Sequence, residues 1–331
     1  MPLTVEWDDG ITVGYGHERL VFDPRKNNHS LPRIFITHAH LDHSKGFSFK
    51  DSLKLSTKAT KDIMSAYGKK IKNWESLEME GKIRVDDMEV VSHNAGHVLG
   101  STLFEIVTPE GNVVYTGDIQ VTDSFTLKGA EPISCDVLII DSTFGAESFK
   151  FPDRETVAHE MVEWASDTIS KGRVPTFRTD ALGNAQEVTK AFNLYSNLPV
   201  VVHQRVAHIN EIYTANGHAL KFLDGRSEEA HEAIFTGQCI LIVPKNLKFD
   251  DQTEIETALV SGWALWTKKT AFALSDHADF NQLIQFIRAC NPRTVFTCFG
   301  GRRNYTFAER IEKALGIEAR PLNLIPTRFV L

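Results

Sequence analysis

Four short apolar runs in this chain end in the same way. Arg33-Ile34-Phe35-Ile36-Thr37 runs into His38, and Asn112-Val113-Val114-Tyr115-Thr116 runs into Gly117-Asp118. Val137-Leu138-Ile139-Ile140 runs into Asp141-Ser142-Thr143, and Ala271-Phe272-Ala273-Leu274 runs into Ser275-Asp276-His277. The runs are continuous rather than alternating, which is the pattern of strands covered on both faces. Helical patterns lie between them, over Asp153 to Gly172, Gln282 to Ala289 and Phe307 to Leu315. The combination constrains the chain to a layered α/β fold, and sites in such folds collect where strands stop. Segment 146–262 carries none of the clustered ionisable pattern and reads as an inserted unit.

The first run leads into Ile36-Thr37-His38-Ala39-His40-Leu41-Asp42-His43, three histidines and one aspartate within six residues. An extended or tightly turned backbone sends residues spaced by two to one side, so His38 and His40 can share one ion. The turn through Leu41 redirects Asp42 and His43 toward a second position. Imidazole and carboxylate are the ligands that borderline cations such as Zn²⁺ prefer. One loop does not complete a site. His97 lies between glycines in Ala95-Gly96-His97-Val98-Leu99-Gly100, and Asp118 follows a strand in Thr116-Gly117-Asp118. Asp118 by itself reads equally well as a turn former. With the others it becomes a carboxylate bridging two ions, one held by His38, His40 and His97, the other by Asp42 and His43.

Composition narrows the partners only mildly. The 331 residues are 42% hydrophobic, enough for one large domain or two modest ones. The formal charge of −7 argues against a chain that is basic overall, but a local basic groove is compatible with it. No apolar run reaches the roughly 18–20 residues that cross a bilayer. The N-terminal Met1-Pro2-Leu3-Thr4-Val5-Glu6 lacks a signal-peptide layout, so a cytoplasmic location without a membrane partner is the default expectation. Cys135, Cys239, Cys290 and Cys298 form no CxxC pair, which speaks against a zinc knuckle or a disulfide framework.

THAHLDH, AGHVLGS and TGD, in this order, resemble the metallo-β-lactamase fold. Asp141-Ser142-Thr143-Phe144-Gly145, Ala181-Leu182-Gly183-Asn184-Ala185-Gln186-Glu187 and Ser275-Asp276-His277-Ala278-Asp279 narrow the resemblance to the β-CASP nucleases, and in particular to their compact exonuclease-like members. The resemblance implies a four-layer αββα sandwich built from 1–145 and 263–331, with an α/β cap over 146–262. It implies a nuclease, a metal-dependent phosphodiester hydrolase. Asp141 falls on the acidic residue of the first β-CASP motif. His277 falls on the histidine that acts near the leaving group in the family. The third motif is a histidine in RNA-processing members, and Phe299 takes that position here. Phenylalanine cannot ligate, so one Zn²⁺ is expected to bind firmly and a second weakly, with Mn²⁺ or Mg²⁺ as alternatives.

These readings combine into one expected mechanism. Asp42 and Asp118 serve a metal-activated hydroxide, His277 donates a proton to the departing sugar oxygen, and Asp141 orients His277. The substrate is nucleic acid, single-stranded or at an end, with DNA modestly favoured over RNA because DNA-processing members often lack the third histidine. RNA processing, or a non-catalytic nucleic-acid-binding subunit, is the alternative. Ser142, Gly183, Asn184, Arg178 and Arg302 are the candidate substrate contacts. Without the resemblance, Gly183-Asn184 reads first as a plain capped helix start, with Glu187 three residues on from Asn184.

Overall fold

A computed structural model describes residues 2–27, 32–248, 254–324 and 329–330. The chain forms two compact units, one of Met1–Thr122, Lys128–Lys150 and His277–Leu331, the other of Asp123–Leu127 and Phe151–Asp276. The divisions expected from the sequence lie at 145/146 and 262/263. The later return, at His277, has a physical reason: Ala271–Phe272 is an edge strand of the smaller unit, paired in parallel with Ile255–Val260.

The larger unit contains two seven-stranded sheets. The first runs, in spatial order, Phe329–Val330, Leu3–Trp7, Ile11–Tyr15, Glu18–Phe22, Arg33–Phe35, Leu53–Ser56, Trp74–Ser76. The second runs Glu318–Pro321, Thr294–Cys298, Val137–Asp141, Gly111–Tyr115, Thr102–Thr108, Met88–Asn94, Lys82–Val85. Their inner faces share one core, in which Val5, Phe22 and Phe35 from the first sheet meet Phe104, Tyr115, Ile139 and Phe296 from the second. Ring centroids of Phe22 lie 5.0 Å from Phe35 and 5.2 Å from Phe104. Each such side chain contributes roughly 1.5–3 kcal/mol on burial.

The alternate residues of the second sheet, Val114, Leu138, Ile140 and Val295, pack instead with Leu283, Phe286, Ile287, Phe307 and Ile311 of two helices, Phe280–Cys290 and Arg303–Leu315. Residues on both faces are buried, so the strand Val137–Asp141 is buried throughout and apolar up to its last residue. The architecture is the αββα sandwich expected from the sequence. Asp279 caps the helix Phe280–Cys290 in a reciprocal box with Gln282, and Gly316, at φ 68°, ends the helix Arg303–Leu315.

The smaller unit is a six-stranded, wholly parallel sheet in the order Leu223–Asp224, Val200–Val202, Ile240–Pro244, Val174–Thr179, Ile255–Val260, Ala271–Phe272. Helices Arg154–Ser170, Asn184–Tyr195 and Gln204–Ala215 join one core with it, and Glu228–Thr236 joins another. Glu187 locks the short segment 123–127 to this unit. Its carboxylate accepts from Ser124 Oγ, Phe125 N and Thr126 N, each at 3.0 Å, and from Arg154 Nη1 at 2.9 Å. Glu187→Ala strips a buried charge from all of these donors. It is expected to cost about 3–5 kcal/mol of stability, measurable by denaturant unfolding, while Glu187→Gln costs less.

Among the described residues no helix is long and apolar enough to cross a membrane. The four cysteines are free and buried, and burial pushes the Cys239 and Cys290 thiols up to about 11.

Candidate active site

The site in the larger unit is organised around a residue that the sequence reading passed over. Asp23 follows the strand Glu18–Phe22 at a left-handed φ of 46°, and its own amide donates to Phe35 O. Its buried carboxylate accepts from Thr37 N at 2.8 Å, Thr37 Oγ1 at 2.6 Å, Tyr115 Oη at 2.7 Å and His43 Nδ1 at 2.8 Å. The Thr37 hydroxyl has one proton, and Asp23 takes it. The contact between Thr37 Oγ1 and His38 Nδ1, 2.9 Å, must therefore be donated by the ring. That leaves Nε2 of His38 as a lone pair. The same logic protonates Nδ1 of His43, because a carboxylate only accepts. Such outer partners fix which nitrogen a histidine offers to a cation. Asp23→Ala removes four hydrogen bonds at once and is expected to cost about 3 kcal/mol or more of stability, checked by thermal unfolding.

His38, His40, His97 and Asp118 present one ligand-type atom each, all within 4.8 Å of one another. Asp118 Oδ2 lies 3.4 Å from His38 Nε2 and 3.6 Å from His97 Nε2, and His97 Nε2 lies 2.9 Å from His40 Nδ1. His38, His97 and Asp118 are buried, and His40 is half-buried. Burial, then the neighbouring His43, push the His38 imidazole down to about 3, so it is neutral at physiological pH. Burial alone would raise the Asp118 carboxyl, but His43 and His277 hold it well below the usual carboxylate range. His38 Nε2, His43 Nε2 and Asp118 Oδ1 are buried without hydrogen-bond partners among the described residues. Orphaned donors of this kind fit a bound cation, and three imidazoles with a carboxylate suit a first-row divalent ion.

His277 and Asp141 join this cluster from strand ends distant in sequence. Asp141 Oδ2 accepts from His277 Nδ1 at 2.7 Å, and His277 Nε2 lies 3.9 Å from Asp118 Oδ2. Asp118, Asp141 and His277 form a second group of converging ligand-type atoms. Gln120, buried, donates from Nε2 to His277 O at 2.9 Å and so fixes the backbone there.

The other candidates are placed less as expected. His43 is buried beside the cluster, with Nε2 3.2 Å from Asp118 Oδ1 and 3.8 Å from Asp42 Oδ2. The Asp42 side chain is 64% exposed and stands at the rim. Ser142 is fully buried, and its hydroxyl lies 2.7 Å from Cys298 O and 2.6 Å from Asn304 Oδ1, so it faces the core rather than a ligand. In the smaller unit Gly183, not Asn184, caps the helix, and Gln186, not Glu187, folds back onto it at 2.8 Å. The amides of Ala185, Gln186 and Glu187 are all used within the chain, which leaves a capped helix start in place of an open anion site. Asn184 is buried. Arg178 donates from Nη2 to Lys245 O and Leu247 O and ties backbone together there. Arg302 is exposed at the start of Arg303–Leu315.

Phe299 packs its ring 4.6 Å from that of His43, with the Arg25 guanidinium 5.6 Å from its centroid. Its φ of 62° is left-handed, a strained setting for a bulky residue that costs roughly 1–3 kcal/mol. The thiol of Cys298 donates to Ile140 O instead of reaching the cluster.

The sandwich and its strand-end cluster define the metallo-β-lactamase fold class. A family described as the Zn-dependent metallo-hydrolase RNA specificity domain matches residues 268–321. A probable DNA ligase of Opitutus terrae is 27% identical and covers 87% of this chain but 30% of that protein. An RNase J-like protein of Methanocaldococcus jannaschii is 28% identical over 57% of this chain and 51% of its own length. The transcription termination factor FttA of the same organism is 30% identical over 58% and 36%. The chain thus spans between about a third and a half of these relatives. A solved Enterococcus faecalis protein of unknown function covers both chains fully at a TM-score of 0.70 and 15% identity, a likeness of fold alone. These matches agree with the resemblance to the β-CASP branch of the metallo-β-lactamase fold.

Proposed function

We propose that this chain is a metal-dependent nuclease. The observation that carries the reading is the convergence of His38, His40, His97 and Asp118 within 4.8 Å, beside a His277 whose Nδ1 is held by Asp141. Those four residues would hold a Zn²⁺ ion, which would supply a lowered water pKa, from about 16 to about 7, and positive charge against a phosphoryl oxygen. Asp118, kept ionised, stands between the cluster and His277 and orients a nucleophilic water. His277 carries its proton at Nε2 when charged, because Asp141 holds Nδ1–H. It therefore donates to a departing sugar oxygen, a contribution of about 10²–10⁴-fold. A non-catalytic subunit has no use for a complete donor set of this kind.

Asp42, His43 and Asp118 would hold a second ion only weakly, because Phe299, not a ligand, faces His43. About one equivalent of zinc is expected to survive exhaustive dialysis, read by elemental analysis, and Phe299→His is expected to raise the retained amount toward two. Two equivalents in the unaltered protein would overturn this assignment.

A relative that aligns with 87% of this chain is named as a probable DNA ligase, which supports DNA as substrate. The RNA-specificity match and the RNase J-like relative support a second reading, RNA processing. End-labelled DNA and RNA oligonucleotides incubated with Zn²⁺, Mn²⁺ or Mg²⁺ separate the two. Faster cleavage of RNA would replace the DNA assignment, and no cleavage of either polymer would remove the nuclease reading.

A further inference from the structure

The smaller unit exposes a compact aromatic surface that takes no part in the site described above. The 3₁₀ turn Gly262–Trp266 leaves Trp263 42%, Leu265 42% and Trp266 64% exposed, while Ala264 is buried and anchors the turn. Side chains three apart in a 3₁₀ turn eclipse one another, at a rise of about 6 Å, so Trp263 and Trp266 stand on one side. The turn is bolted at both ends. Ser261 caps Trp263 N through its hydroxyl, Ala264 N bonds Ser261 O, and Thr267 N bonds Ala264 O. Ser261 N bonds Phe272 O, and Leu259 N bonds Thr270 O, so the strands on either side clamp the loop. Lys268 and Lys269 follow at once, both exposed, and Lys269 N is fixed by Thr267 Oγ1. From Ser261 to Ala273 there is no acidic residue, in a chain of net charge −7.

We infer that the Trp263–Trp266 turn with Lys268 and Lys269 is a docking platform for single-stranded nucleic acid, with bases stacked on the indoles and phosphates met by the two lysines. The inference rests on the nucleic-acid reading of the proposed function and names a surface for it. Two observations select this occupant. A local positive charge beside exposed indoles complements a polyanion that carries flat apolar bases, and stacking with cationic backbone contacts is how single strands bind without sequence preference. The clamped turn also needs little ordering on binding, which favours affinity. A second copy of this chain docked through the same surface would set lysines against lysines, which lacks that charge complementarity.

The test measures anisotropy of fluorescein-labelled 20-mers of thymidylate and of uridylate in EDTA, so that cleavage does not interfere. Trp263→Ala combined with Trp266→Ala is expected to weaken binding by about tenfold or more. Lys268→Gln with Lys269→Gln is expected to lower the slope of log affinity against log salt by about 1.4, two contacts at about 0.7 each. Hydrolysis of bis(p-nitrophenyl) phosphate is expected to be unchanged in both variants. Unchanged oligonucleotide affinity in the tryptophan variant, with cleavage intact in the parent, would overturn the platform and leave the nuclease reading standing. Tryptophan-dependent binding without any cleavage would support the platform and remove the nuclease reading. A parent dimer that the tryptophan changes dissociate would assign the surface to self-association and overturn the inference.

Discussion

Asp118→Ala is expected to abolish both firm metal binding and nucleic-acid cleavage. The carboxylate reaches His38 Nε2 at 3.4 Å, His97 Nε2 at 3.6 Å, His43 Nε2 at 3.2 Å and His277 Nε2 at 3.9 Å. Asp118 also supplies the one carboxylate that converges with His38, His40 and His97, where negative charge offsets a divalent ion directly. Loss of one preorganised electrostatic partner typically costs 10²–10³-fold in rate, and loss of the ion adds to it, so a fall of about 10³-fold or more is expected. Asp42→Ala is the contrast. Its exposed carboxylate sits at the rim, and the same assay is expected to fall by less than about tenfold. Retained zinc and near-normal cleavage after Asp118→Ala would sink the assignment, as would a larger loss from Asp42→Ala.

His277→Ala is expected to reduce oligonucleotide cleavage by about 10²–10⁴-fold while leaving the firmly held metal in place. The distinction matters because His277, Asp118 and Asp141 also lie close enough to ligate an ion together. A proton donor is needed only when the leaving group is a poor one. The variant is therefore expected to hydrolyse bis(p-nitrophenyl) phosphate, whose leaving phenolate needs no proton, at close to the parent rate. Equal losses on both substrates, accompanied by loss of metal, would make His277 a ligand. Asp141→Asn weakens the hold on Nδ1 and is expected to fall between the parent and His277→Ala on the oligonucleotide.

The sequence announces these residues because each sits at the end of a buried strand, where an apolar run stops and a polar side chain appears without a surface reason for it. His38, Asp118 and Asp141 are legible on that ground, and His40 follows from its spacing of two from His38. Asp23 obeys the same rule, yet Asp-Pro-Arg reads as an ordinary turn. Its importance arises from Phe22 pairing with Phe35, which sets Asp23 beside Thr37 and, across the sandwich, under Tyr115. Pairing between separated strands is not written in local composition. Ser142 fails for the same reason. Its neighbours in sequence suggest an open loop, whereas its partners, Cys298 and Asn304, lie more than 150 residues away. Glu187 looks like a helix-capping residue from its spacing, and the space around it is decided by segment 123–127.

The strand Val137–Asp141 lies in register with Thr294–Cys298, and the whole of Phe151–Asp276 is threaded between them in sequence. A ribosome must therefore release the entire intervening piece before the second sheet can be finished, and domains generally fold as units as they emerge. His277 is among the last contributors to leave the tunnel, well after the histidines near the start. During synthesis the nascent polypeptide has the ion-gathering loop long before it has His277, so the cluster stays incomplete until the whole smaller unit has been made.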